Sequence, residues 1–181
     1  MRAIWTRLAP GIATLALALA SGAANADCDV MTGGGFIINK GAQANFGVAG
    51  GCKDGTPTFG HLEYIDHGAG LNVHWMSITA YFPDEFDAKA RYICGTAGTN
   101  LYGNVDFIVR ARDTAEPGTN DVFDIRLTQG GGIVYSTEFS DFHHKLNGGN
   151  GGGGNIQLQK PTTGDFSPVN KTTCPALFVG A

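Results

Sequence analysis

Two stretches of the chain carry residues whose types and spacing could bind a metal. The first is Gly60-His61-Leu62-Glu63-Tyr64-Ile65-Asp66-His67. Residues two apart on a strand project to one side, so His61, Glu63 and His67 share a face, and a neighbouring strand could add a ligand of the kind zinc or copper sites use, although the expected pairing sets His74 on the opposite face. The competing reading is a set of hydrogen-bonded strand and turn histidines. His143-His144 is a weaker signal of the same type. The second stretch is the loop Asp113 to Asp121, where Asp113, Glu116, Asn120 and Asp121 offer oxygens to a hard cation such as calcium. Its spacing does not match a helix–loop–helix calcium site. The alternative is a polar turn built on Pro117-Gly118, with Asp121 bonded to the backbone. Beyond calcium, no cofactor is expected. A third group, Tyr64, His74, Met76 and Trp75, could line a pocket in a barrel. Acids and serines occur (Glu63, Asp66, Glu138, Ser77, Ser136), but no G-x-S-x-G or H-E-x-x-H pattern gathers them into a catalytic set, so the reading leans away from an enzyme.

The elements that must position these residues read as β throughout. Runs near 34–38, 42–49, 57–67, 71–82, 90–97, 104–113, 121–128, 132–138 and 154–160 are separated by glycine- and proline-bearing turns. The window 83–90 could make one helical turn but fits a loop better. This predicts an antiparallel meander of about eight or nine strands, closed as a barrel or packed as a β-sandwich. The best-written hairpin joins 104–113 to 121–128. Val105, Phe107, Val109 and Ala111 with Phe123, Ile125 and Leu127 form an apolar face. Asp106, Arg110, Arg112, Asp124 and Arg126 are expected on a wet face, and Ile108 breaks the pattern. In the hairpin 57–67 to 71–82, a turn at Gly68-Ala69-Gly70 would set Tyr64 opposite His74 and Glu63 opposite Trp75. Two glycine-rich signatures bracket the meander, Thr32-Gly33-Gly34-Gly35-Phe36 and Gly151-Gly152-Gly153-Gly154-Asn155, and the strands that follow them are expected to pair.

The chain has 181 residues and 28 glycines. Residues 1–26 read as a secretory signal: Arg2 and Arg7, a short apolar run from Ile12 to Ala20, and the cleavage motif Ala24-Asn25-Ala26. The run is too short to span a membrane, so no transmembrane segment is expected in the mature chain. A single β domain over 27–160 and a C-terminal tail over 161–181 would remain. The signal carries two of the 12 Lys+Arg and none of the 16 Asp+Glu, which leaves a mature net charge of −6. That sign argues against nucleic acid as a partner. The expected location is outside the cytoplasm, periplasmic or extracellular. Cys28, Cys52, Cys94 and Cys174 then read as two disulfides, with Cys28–Cys174 and Cys52–Cys94 favoured among three connectivities and the tail tethered through Cys174.

The motifs Thr32-Gly33-Gly34-Gly35-Phe36-Ile37, Ala42-x-Ala44-Asn45-Phe46-Gly47, Gly60-His61-Leu62-Glu63-Tyr64-Ile65-Asp66-His67 and Gly153-Gly154-Asn155-Ile156-Gln157-Leu158-Gln159-Lys160 together resemble the bacterial secreted β domains called post-COAP domains. The resemblance runs over residues 32–160 and rests on structural glycines and aromatics. It implies a shared fold and an exported location, and brings no catalytic residues with it. The function expected is a non-enzymatic extracellular or envelope-associated binding or structural module with an unknown partner there. The alternative is a small-molecule-binding barrel or barrel enzyme.

Overall fold

The computed structural model describes residues 29–53, 56–138, 143–149, 151–159 and 174, without the side chains of 52–58. The proposed signal, and the tail other than Cys174, lie outside the described residues. Nine antiparallel strands form one sheet: β1 Val30–Asn39, β2 Ala42–Lys53, β3 Thr56–Asp66, β4 Leu71–Pro83, β5 Ala90–Thr99, β6 Gly103–Arg112, β7 Val122–Gln129, β8 Gly132–Ser136 and β9 Gly153–Gln159. The spatial order is β8-β7-β6-β5-β4-β3-β2-β1-β9. It is a meander to which the last strand returns, beside the first. Residues 84–89 form a loop held by Asp84 and Asp87, whose carboxylates accept from the Phe86 and Lys89 amides.

The sheet is strongly curled. In a flat sheet β2 and β7 would stand five strand spacings apart, about 24 Å, yet the rings of Phe46 and Phe123 stack with centroids 3.9 Å apart. Tyr64 continues the column, 6.0 Å from Phe123 and 5.9 Å from Tyr135. The inner face that produces this curl is the apolar face read from the sequence. Phe107, Val109, Ala111, Phe123, Ile125 and Leu127 are all fully buried, together with Leu62, Tyr64 and Ile93. Burial of that aromatic and aliphatic area is the main favourable term for a half-barrel of this size.

The two glycine signatures turn out to be partners. Gly35 lies opposite Gly154 and Phe36 opposite Gly153. A Cβ on Gly35 would sit 2.1 Å from the Gly153 carbonyl oxygen, and one on Gly154 would sit 2.3 Å from that of Gly34. Only glycine allows β1 and β9 to approach this closely.

Three expectations are corrected. The turn between β3 and β4 has four residues, His67 to Gly70, so Asp66 faces Leu71, Glu63 faces His74 and Tyr64 faces Val73. One residue of slip moves His74 to the outer face. The outer faces of β6 and β7 are wet only in part: Asp106 is exposed and Arg112 half-buried, but Ile108, Arg110, Asp124 and Arg126 are buried. Ile108 belongs to a small outer cluster with Ala80, Phe82, Tyr92 and Cys94, against which Cys174 packs. The charges there pair with loops, Arg110 with Asp84, Arg112 with Asp87 and Arg126 with Glu138. The cysteine pairing differs as well. Cys94 bonds to Cys174, with their Cα atoms 5.4 Å apart. That excludes both Cys28–Cys174 and Cys52–Cys94, and only a Cys28–Cys52 partner bond is compatible with two disulfides. Cys52 lies on β2, with β3 and β4 between it and the strand of Cys94, whereas the tail delivers Cys174 to the outer face of β5.

Candidate functional site: the cleft between the first and eighth strands

The curled sheet closes at one end and stays open at the other. At the closed end, residues 144–146 form a rung. Phe123 N donates to His144 O (3.1 Å) and Leu146 N to Asp121 O (2.7 Å), while Leu146 bridges Gly152 on the other side. The rung is held by Asp124, which is fully buried and accepts from His143 Nδ1 at 2.7 Å and His144 Nδ1 at 2.9 Å. Burial alone would raise the Asp124 carboxyl, but the two imidazoles outweigh it and hold it below the ordinary value.

At the open end β9 begins opposite Phe36, so among the described residues the last residues of β1 have no paired strand on that side. They face β8 across a cleft. Two hollows of about 480 and 590 Å³ make it up, sharing Asn39, Lys40 and Ser136. Ile133, Val134 and Tyr135 line one, and Ile38, Thr137, Glu138 and His144 line the other.

A polar knot forms the floor. Tyr135 Oη donates to Asp66 Oδ2 at 2.6 Å. Because that hydroxyl has one proton, Tyr64 must be the donor in the 2.6 Å contact between the two phenols. Asn39 Nδ2 donates to Asp66 Oδ2 (2.8 Å) and to Tyr135 Oη (2.9 Å). Asp66 Oδ1 accepts from the Gly68 and Ala69 amides at 2.8 and 3.0 Å, which fixes the β3–β4 turn. Desolvation would raise Asp66, but these donors, led by Tyr135, bring it below the ordinary value. Burial, reinforced by the nearby carboxylate, drives both phenols far upward. Both are therefore neutral donors, unsuited to act as bases. Every proton in the knot already has an acceptor, so it works as a latch that ties β8 to β1 and β3.

The residues singled out in the sequence fall elsewhere. His61 and Glu63 lie on the exposed outer side of β3, and His67 is exposed at the start of the β3–β4 turn. Glu63 pairs with His74, and His67 Nε2 meets Asn45 Oδ1 at 2.9 Å. Among the described residues no three His, Cys, Asp or Glu side chains gather as a metal site. Tyr64, His74, Met76 and Trp75 do not share a pocket. Tyr64 is fully buried inside, Met76 is 55 % exposed outside and Trp75 packs against the core from its rim.

The loop 113–121 carries the polar turn given as the alternative reading of its composition, with Asp121 bonded to the backbone. Its carboxylates clasp the free edge of β9. Asp121 Oδ2 accepts from Ile156 N at 2.8 Å, and Asp113 Oδ2 from Leu158 N at 2.9 Å. Glu116 accepts from the side chains of Gln157 (2.9 Å) and Asn155 (3.1 Å). Asp121 Oδ1 meanwhile takes the Thr114 amide at 2.8 Å. Asn120 adds its backbone to the same turn, its carbonyl accepting from Thr114 Oγ1. Asn147 Nδ2 completes the edge by donating to Gly154 O at 2.6 Å.

Sequence reasoning missed Asn39, Lys40 and Tyr135. Asp66 and Ser136 were noticed singly. The curl that brings β1, β3 and β8 together leaves no local pattern, so only the glycine pairing of β1 with β9 hinted at it.

No known protein family, curated protein or solved structure matches this chain.

Proposed function

We propose that this is a non-enzymatic β domain, exported from the cell, that works through its surface as an extracellular or envelope-associated binding or structural module. The observation that carries the reading is the state of the interior. The half-barrel is filled by the stacked column from Phe46 to Tyr135, and the acidic and phenolic groups beside the cleft are engaged with one another. A pocket enzyme needs an open cavity and a base or nucleophile with a free lone pair, and the groups named for that role from the sequence are split between the two faces. The Cys94–Cys174 bond supports an oxidising compartment. The resemblance to post-COAP domains supports the same reading. Among the described residues no helix is long and apolar enough to cross a membrane.

The test is photo-crosslinking in producing cells, with benzoylphenylalanine placed at Met76 on the outer face or at Ile133 on the cleft rim. Macromolecular adducts from one or both positions, with the purified protein carrying no bound small molecule by native mass spectrometry, are expected. A stoichiometric small molecule without macromolecular adducts would overturn the proposal in favour of a ligand-binding or catalytic barrel.

A further inference from the structure

We infer that the cleft between β1 and β8 takes an extended segment of another polypeptide, paired through its backbone and carrying an acidic side chain toward Lys40. The inference rests on the surface-module reading and assigns it a place and a partner chemistry.

The first argument is backbone accounting. β8 is the last strand of the sheet order, and its outer edge has no hydrogen-bond partner among the described residues. The end of β1 beyond Phe36 likewise has no paired strand among the described residues, because β9 begins at Gly153. Two unpaired edges thus face one cleft. Backbone amides and carbonyls at a sheet edge are matched by one chemistry above others, an added extended strand.

The second argument is contrast within the molecule. The β9 edge has its outward groups capped by Asp113, Asp121 and Asn147. Edges are usually blunted by charge, proline or cover. Among the described residues the β8 edge has none of these: its sequence is Gly-Ile-Val-Tyr-Ser, and Ile133 is 62 % exposed.

The third argument is charge. Lys40 sits in the tight turn that pairs Asn39 with Ala42, at a φ of 50°, and lines both hollows. No carboxylate among the described residues pairs with it. Of the acids nearby, Glu138 is neutralised by Arg126, and Asp66, which keeps its charge, has both oxygens engaged by Asn39, Tyr135 and the Gly68 and Ala69 amides, so Lys40 is the one lysine or arginine that lines the two hollows among the described residues. Hollows of about 480 and 590 Å³ fall in the size range of real ligand sites.

The probe is the blocked peptide acetyl-Thr-Val-Glu-Val-Thr-amide, added to the mature protein. Amide shifts confined to Ile133–Ser136 and Ile37–Lys40, with slowed hydrogen exchange there, are expected. Methylating the peptide's backbone nitrogens should abolish binding, and Lys40→Glu should weaken it about threefold or more, as loss of a rim ion pair does. Equal binding of the methylated peptide, shifts elsewhere, or no binding at millimolar peptide would overturn the inference. So would concentration-dependent dimers that protect β8 without peptide, which would identify a second copy as the occupant. Adducts from Met76 without any from Ile133 would sink this inference and leave the surface-module reading standing. Adducts from neither position, with a small molecule bound, would sink both.

Discussion

The two edges of this sheet are made of the same backbone and are treated in opposite ways. β9 is a seven-residue strand whose outward amides meet two aspartates supplied by the β6–β7 loop, while Gly118 lets that loop press against it; a Cβ there would sit 2.3 Å from the Gly154 carbonyl oxygen. β8 is a five-residue strand fixed from inside by one phenol, Tyr135, and unpaired along its outer edge among the described residues. The difference teaches that closure here is not a property of the sheet as a whole. One edge is sealed by side-chain acceptors placed where a tenth strand would have been. The other is anchored but unpaired, which is the state expected of a surface kept for a partner.

Removing the sealed edge should have the largest effect. Deleting residues 151–159 strips β1 of its neighbour and exposes Met31 and Ile37, both fully buried. Loss of a cooperative melt in calorimetry is expected; a truncated protein that stays monomeric and melts cooperatively would show β9 to be dispensable. Next comes the clasp itself. Asp121→Ala leaves the buried Ile156 amide without its acceptor and should cost about 1.5–3 kcal/mol in urea melts. A cost near zero would mean water replaces the carboxylate and the edge is not sealed by it.

The latch of β8 should matter less and should show in acid. The Asp66 carboxyl is lower in the folded chain than its ordinary value of 3.8. Its contribution is therefore fully present above that pH and fades as pH falls through the folded value. Tyr135→Phe removes one donor to Asp66 and should cost about 1–2 kcal/mol at neutral pH, with a smaller further loss below pH 3.8 than the unmodified protein shows. An unchanged acid limb would detach Tyr135 from Asp66. The smallest effect belongs to the open edge: Ile133→Lys should change stability by no more than about 0.5 kcal/mol. A large loss would mean that Ile133 is part of the core.

Much of the fold was legible because it is written in short-range patterns. Alternation in Val105-Asp106-Phe107 and in Phe123-Asp124-Ile125 marks strands and their inner face, and glycine and proline mark the turns, so all nine strands lie where they were read. The pairing of β1 with β9 was legible because glycine runs of that length have few other uses. The register of β3 on β4 was not, since His67 could belong to the strand or to the turn, and one residue decides which face His74 takes. Nor could the buried charges be foreseen. Asp124 and Arg126 look like a solvated strand face until the segments bearing His143, His144 and Glu138 are laid over it. The acidic loop 113–121 left two readings open for a related reason: oxygens suited to a cation are equally suited to backbone amides, and only the position of β9 shows which amides they meet.

Hydrogen exchange resolved by residue tests the central claim most directly, because it reads both edges in one experiment. The amides of Ile156 and Leu158, outward on an edge strand yet held by Asp121 and Asp113, should exchange as slowly as interior sheet amides. The outward amides of Gly132–Ser136 should exchange within the time of exposed loops. Fast exchange at Ile156 and Leu158, or equal protection of the two edges, would contradict the account.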